Sequence, residues 1–161
     1  MKRTAFTMIE LIFVIVILGI LAAVAIPRLA ATRDDAKIAT KVQEATQFLN
    51  EAGAYYTAHG YFGPLYKMTN VRISTSIDSE TRDATTDMND TSAVTVYLTD
   101  GNGKSCVSFA SGIASADGNI TVKNLTGGTP ICAGIEKALA DKNVSSTAGI
   151  THKFGGDSVG Y

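Results

Sequence analysis

The residue of this sequence with the most chemistry in it is Glu10, which stands between Met8-Ile9 and Leu11-Ile12 at the head of a long apolar run. Leu11 to Ile26 are sixteen consecutive uncharged residues, interrupted in apolar character only by Gly19. A carboxylate placed deep in a bilayer costs on the order of 3 kcal/mol, so it marks a functional position and requires a partner. The partner this sequence offers is an amine. A cut after Ala5 gives Phe6 a new α-amino group at the i, i+4 spacing from Glu10. In a stack of such helices the carboxylate of one chain meets the amine of the next, which neutralises both charges and sets the axial register.

The residues ahead of this run are a short basic leader, Met1-Lys2-Arg3-Thr4-Ala5. Basic residues before an apolar stretch are an export signature, and Lys2 and Arg3 stay on the cytoplasmic side. A conventional secretory signal has the same outline, and Ala23-Val24-Ala25 offers it a small-x-small cleavage site ahead of Ile26-Pro27. Glu10 argues against that alternative, because a discarded signal gains nothing from a carboxylate within its apolar core.

Elsewhere the chemistry is sparser. Cys106 and Cys132 are the only cysteines. An even count in an exported chain suggests one disulfide, the alternative being two buried free thiols; the spacing does not suit a metal site. His59 and His152 lack a ligand-like partner motif. Asp100-Gly101-Asn102 begins like a calcium loop, but Lys104 stands where a third oxygen ligand is needed, so a turn suffices. No metal or cofactor is expected. Asn89, Asn119, Asn124 and Asn143 each head an Asn-x-Ser/Thr triplet, and the first, second and fourth have an acid two residues earlier: Asp87, Asp117 and Asp141. That pattern resembles the extended acceptor of some bacterial oligosaccharyltransferases, which makes Asn89, Asn119 and Asn143 candidate glycosylation sites; chance clustering of Asp and Asn in turns produces it too. No Ser/His/Asp set, phosphate-binding glycine loop or paired carboxylates occur, and the chain reads as non-enzymatic. With 14 basic and 15 acidic residues and a net charge of -1, it has no dense basic patch, so nucleic acid enters only as a ligand of a polymer surface.

The stretch from Ala5 through Phe6-Thr7-Met8-Ile9-Glu10 and the apolar run to Ile26-Pro27 closely resembles the class III signal of type IVa pilins and type II secretion pseudopilins. The resemblance covers roughly residues 1 to 35. It implies cleavage between Ala5 and Phe6 by a prepilin peptidase and methylation of the Phe6 amine by the same enzyme. Glu10 matches the family's acid, and Gly19 and Pro27 its helix-loosening positions. Ala5 departs from the Gly that usually precedes the cut. The implied partners are other copies of the chain, other pilins, and an inner-membrane assembly platform driven by a cytoplasmic ATPase. The chain is then a single-pass inner-membrane protein before assembly and a periplasmic or cell-surface filament subunit after it. Its expected role is structural, in a type IV pilus serving adhesion, motility or DNA uptake. The alternative is a pseudopilin of a type II secretion or competence system, where the presence of Glu10 argues against the tip subunit that lacks this acid. A conventionally secreted binding protein is the third reading. Major secretion pseudopilins commonly bind calcium near their C-terminal loops, which draws attention to Asp117, Asp141 and Asp157.

The resemblance implies that these groups are positioned by an α+β, pilin-like fold: one long N-terminal helix, apolar in its first half, packed on a small antiparallel sheet with a C-terminal disulfide region. The expected organisation is a leader over 1-5, a transmembrane and polymerisation segment over 6-27, an amphipathic helix over 28-57 and a globular head over 58-161. Phe6 to Ile26 spans about 31 Å as a helix, enough for a bilayer, and Pro27 should kink it. Ile38, Val42, Ala45, Leu49, Ala52 and Tyr56 recur at spacings of four and three, one apolar seam. In the head, residues 58-92 read as loop with a strand near Val71 to Ile77. The 93-126 sheet is a meander with strands at Val94–Thr99, Ser105–Ile113 and Ile120–Leu125, joined by turns at Asp100-Gly101-Asn102-Gly103 and Asp117-Gly118-Asn119. The 127-161 region holds a helix over Pro130–Lys142 and a last strand at Ile150–Phe154.

Overall fold

The chain enters its first helix at Met8 and stays helical for 52 residues, through Gly19 and Pro27, in α1 (Met8–His59). It leaves the helix at Gly60, whose φ of 76° reverses the chain while its N–H still reaches the Tyr56 carbonyl at 2.7 Å. The structure is a computed structural model that describes residues 6–81, 85–89, 93–112, 118–126 and 128–155. It forms two units that divide between Ala36 and Lys37.

In the first unit every residue from Phe6 to Ala36 is exposed. Apolar side chains around the whole helix circumference, among them Leu11, Phe13, Val16, Ile20, Val24 and Leu29, find no cover within this unit. A soluble helix normally hides one face. This stretch is long and apolar enough to cross a membrane.

In the second unit the helical residues from Lys37 onward behave as the seam requires. Val42, Ala45, Leu49, Ala52 and Tyr56 are buried, and Ile38 packs half-buried against the same core. Phe48, which the seam omitted, is fully buried and meets Phe109 edge-on with ring centroids 4.8 Å apart. The sheet is a four-stranded antiparallel meander in the order β1 (Thr95–Thr99), β2 (Ser105–Ser111), β3 (Asn119–Asn124) and β4 (Ile150–Lys153). Val96 pairs with Phe109, Phe109 with Val122, and Val122 with Ile150, so one row of apolar residues crosses all four strands. The register slips between Leu98 and Thr99 as β1 enters its turn.

Two expectations change. The loop over 58-92 contains a short helix, α2 (Leu65–Met68), which buries Leu65 and Met68. The strand expected near Val71 to Ile77 is a single bridge, Ser74 to Tyr97, closed by backbone bonds of 2.8 and 2.7 Å. Val71 and Ile73 are buried as a strand pattern predicts, but Ser74 Oγ donates to backbone carbonyls of Ser76 and Thr81, and Asp78 turns the chain at φ 50°. Local side-chain bonds have displaced the ladder. Ile113 and Asp117 lie outside the described residues.

After the sheet, Thr129 caps α3 (Pro130–Asp141): its hydroxyl accepts from the Cys132 N–H, and Pro130 occupies the first helical position. Gly134 lets this helix approach Ile38 closely; a Cβ at Gly134 would stand 2.3 Å from the Ile38 Cδ1.

Candidate functional site

The start of α1 is built by Thr7 and Glu10. Thr7 precedes the first helical residue, and its Oγ1 accepts from the Glu10 N–H at 3.4 Å. In return, Glu10 Oε2 accepts from the Thr7 N–H at 2.8 Å and from its hydroxyl at 2.6 Å. This is a capping box, two orphan helix-end donors satisfied reciprocally. Its Thr-x-x-Glu spelling is present in the sequence, yet attention to the acid alone passes over Thr7. Both contacts fall on Oε2; Oε1 accepts no bond among the described residues. The carboxylate is thus oriented by its own chain and keeps one oxygen open to a donor from elsewhere.

The helical i, i+4 relation between Phe6 and Glu10 does not form in this uncut chain. Phe6 and Thr7 lie ahead of the helix, because Thr7 must leave helical geometry to act as cap. Ala5 lies outside the described residues. Gly19 faces open space, with nothing within 4 Å of a Cβ built there, and Pro27 sits within α1 without ending it.

The N-terminal residues 1–26 match the family described as the prokaryotic N-terminal methylation motif. The chain carries the prepilin-type signal of the pilin and pseudopilin family. No curated protein and no solved structure matches the chain. The likeness rests on residues 1–26; beyond them, the later part of α1 packs on the antiparallel sheet.

In the second unit, Cys106 and Cys132 form a disulfide with Cα atoms 4.9 Å apart, which removes the free-thiol alternative. It ties β2 to the first turn of α3. The neighbouring turn is held by Asp100, which is buried: Oδ1 accepts from the N–H groups of Asn102 and Lys104 at 2.8 and 3.1 Å, and Oδ2 from Thr129 Oγ1 at 3.0 Å. Asp100 is thus committed to N–H and O–H donors, which is the turn reading of this loop. Lys104 turns outward and pairs with Asp78 at 2.6 Å.

His59 stacks on Tyr55, centroids 4.1 Å apart, and its Nδ1 lies 3.0 Å from the Tyr55 carbonyl; His152 Nε2 lies 2.8 Å from the Val144 carbonyl. The described residues hold no group of three or more His, Cys, Asp or Glu suited to a metal ion. Of the acceptor triplets, Asn89 and Asn143 are exposed, Asn119 is half-buried in β3, and Asn124 is buried in the same strand. Asp141 ends α3 at the surface, and Asp117 and Asp157 lie outside the described residues.

Proposed function

We propose that this chain is the structural subunit of a type IV pilus-like filament. The observation that carries the reading is the bare first unit: a stretch exposed from Phe6 to Ala36, helical from Met8 and apolar over Leu11 to Ile26, headed by a carboxylate with one oxygen free among the described residues. Lipid covers that surface while the subunit is stored, and neighbouring copies cover it in the fibre. A prepilin peptidase removes residues 1-5 by cutting between Ala5 and Phe6 and methylates the Phe6 amine. The freed amine of one subunit then meets Glu10 of the next, an ion pair that is worth far more away from water than in it. Residues 6-27 form the transmembrane and polymerisation segment, in which Gly19 and Pro27 provide bending points for leaving lipid. Residues 28-57 carry the helix into the globular head, 58-161.

Before assembly the subunit spans the inner membrane once, and afterwards it lies in a periplasmic or cell-surface fibre built by a platform with a cytoplasmic ATPase. The filament acts mechanically, in adhesion, motility or DNA uptake. The methylation signal is shared by pseudopilins, which supports a type II secretion or competence pseudopilus as the second reading; loss of surface fibres against loss of exported enzymes in a deletion strain separates the two.

The N-terminal peptide of protein recovered from host membranes and sheared fibres tests the proposal by mass spectrometry. A chain beginning at methylated Phe6 is expected. A chain beginning at Ile26 would mean that the apolar helix is a discarded signal.

A further inference from the structure

α3 ends in a reversal whose backbone is fully accounted for. Asn143 adopts φ 57°, its N–H donates to the Ala140 carbonyl at 2.9 Å, and the Val144 N–H donates to the Leu139 carbonyl at 2.9 Å. That pair of bonds is a Schellman cap, and Asn is one of the few residues that tolerates the left-handed position it needs. Folding therefore explains Asn143. It does not explain the residues two before and two after it.

Asp141 is the last residue of α3, where the helix macrodipole opposes a carboxylate. It is exposed, and among the described residues it makes no hydrogen bond or ion pair that offsets this. Ser145 is 1% exposed and its Oγ has no hydrogen-bond partner, an arrangement folding penalises and an alanine would relieve. The acid and the hydroxyl of Asp141-Lys142-Asn143-Val144-Ser145 are thus both disfavoured by the fold, while the carboxamide between them reaches solvent.

We propose that Asn143 is a site of N-linked glycosylation, with Asp141 and Ser145 serving as the recognition elements of an oligosaccharyltransferase. This rests on the head being exported, as in the filament reading. The carboxamide nitrogen of Asn143 attacks the anomeric carbon of a polyisoprenyl-diphosphate-linked oligosaccharide. The C–N bond forms as the anomeric C–O bond breaks, the amide proton passes to an enzyme base, and the polyisoprenyl diphosphate departs with the bonding pair. Burial of Ser145 sets the order of events. The enzyme reads the segment before Asn124 N–H docks on the Ser146 carbonyl, and the folded head then leaves the sugar outside.

The other triplets are less suited. Asp87 already accepts the Asn89 N–H at 2.9 Å, so a local turn accounts for that acid. Asn119 is paired with Lys153 in the sheet and its Oδ1 is buried; Asn124 is buried with Val122 at the acid position.

The test is peptide mass spectrometry of residues 138-153 from full-length protein taken from host membranes. Part of the Asn143 peptide is expected to carry a glycan mass, lost in Asn143→Gln and Asp141→Ala and kept in Asp141→Glu, with the Cys106–Cys132 bond intact in all. A bare Asn143 peptide in every preparation overturns the proposal, and a glycan that survives Asp141→Ala overturns the role of that acid. The N-terminal peptide of the same digest keeps the two readings apart. Processing at Phe6 with a bare Asn143 removes only the glycosylation, whereas a start at Ile26 removes the filament.

Discussion

Thr7 and Glu10 hold each other at the start of α1, each accepting the other's backbone N–H. The same carboxylate is the group expected to pair with a neighbouring amine, and the two jobs are compatible because the cap occupies only Oε2. They are also separable. Thr7→Ala removes the cap's hydroxyl and is expected to cost about 1 kcal/mol of helix-end stability, while fibres still assemble. Glu10→Gln keeps an oxygen for the Thr7 donors but lacks the charge, and Glu10→Val lacks both. Both Glu10 variants should insert into membranes normally and yield few fibres in a strain without the wild type. Normal fibre yield from Glu10→Gln would show that the charge does not set the register.

Among the described residues, nothing lies within 4 Å of a Cβ built at Gly19. Gly19→Ala is therefore expected to leave membrane insertion unchanged and, by helix propensity, to favour the helix by up to about 1 kcal/mol. Its effect should appear only in sheared-fibre yield, as a loss. Unchanged yield would place Gly19 away from both the bending and the subunit contacts of assembly.

Phe48 fills the space between α1 and β2 against Phe109. Phe48→Ala should destabilise the head by about 3–5 kcal/mol, read as a lower denaturant midpoint. A loss under about 1 kcal/mol would mean that the core closes over the gap.

Cys106 and Cys132 close a loop of sequence separation 26. Replacing both by Ala should cost roughly 3 kcal/mol by the chain-entropy account. Equilibrium unfolding of oxidised and doubly substituted protein checks this, and equal stabilities would contradict it.

Glu51 ties α1 to the segment after α2. Partial burial pushes its carboxyl up, but donors from Gln47, Thr69 and the Asn70 N–H outweigh this and hold it below the ordinary carboxylate value. A carboxyl lowered on folding stabilises the fold above its unfolded pKa, and that contribution fades as pH falls through its folded one. The stability gap between wild type and Glu51→Gln should therefore be present at neutral pH and narrow as the medium is acidified through the carboxylate range. A gap that stays constant on acidification would assign the effect to packing.

Much of this molecule is legible in its sequence. The 4-3 spacing from Ile38 to Tyr56 marks a buried face, and alternation marks β1, because both follow from side-chain geometry within one element. Phe48 escapes that pattern because it lies beside Leu49 on the flank of the stripe, and only the position of Phe109 makes that flank interior. The strand expected over Val71 to Ile77 does not form for a related reason. Burial of Val71 and Ile73 is common to a strand and to a packed loop, and Ser74 and Asp78 decide between them through bonds to Ser76, Thr81 and Ser105.

By itself, the sequence determined the membrane-length apolar helix, the signal at its head and the sites of the main turns, since each depends on residues close together in the chain. The choice of a Cys106–Cys132 bond over two buried thiols, the commitment of Asp100 to Thr129 and the burial of Ser145 beside an exposed Asn143 were decided only by tertiary structure. Each depends on which distant segments share the core, and no local spacing records that.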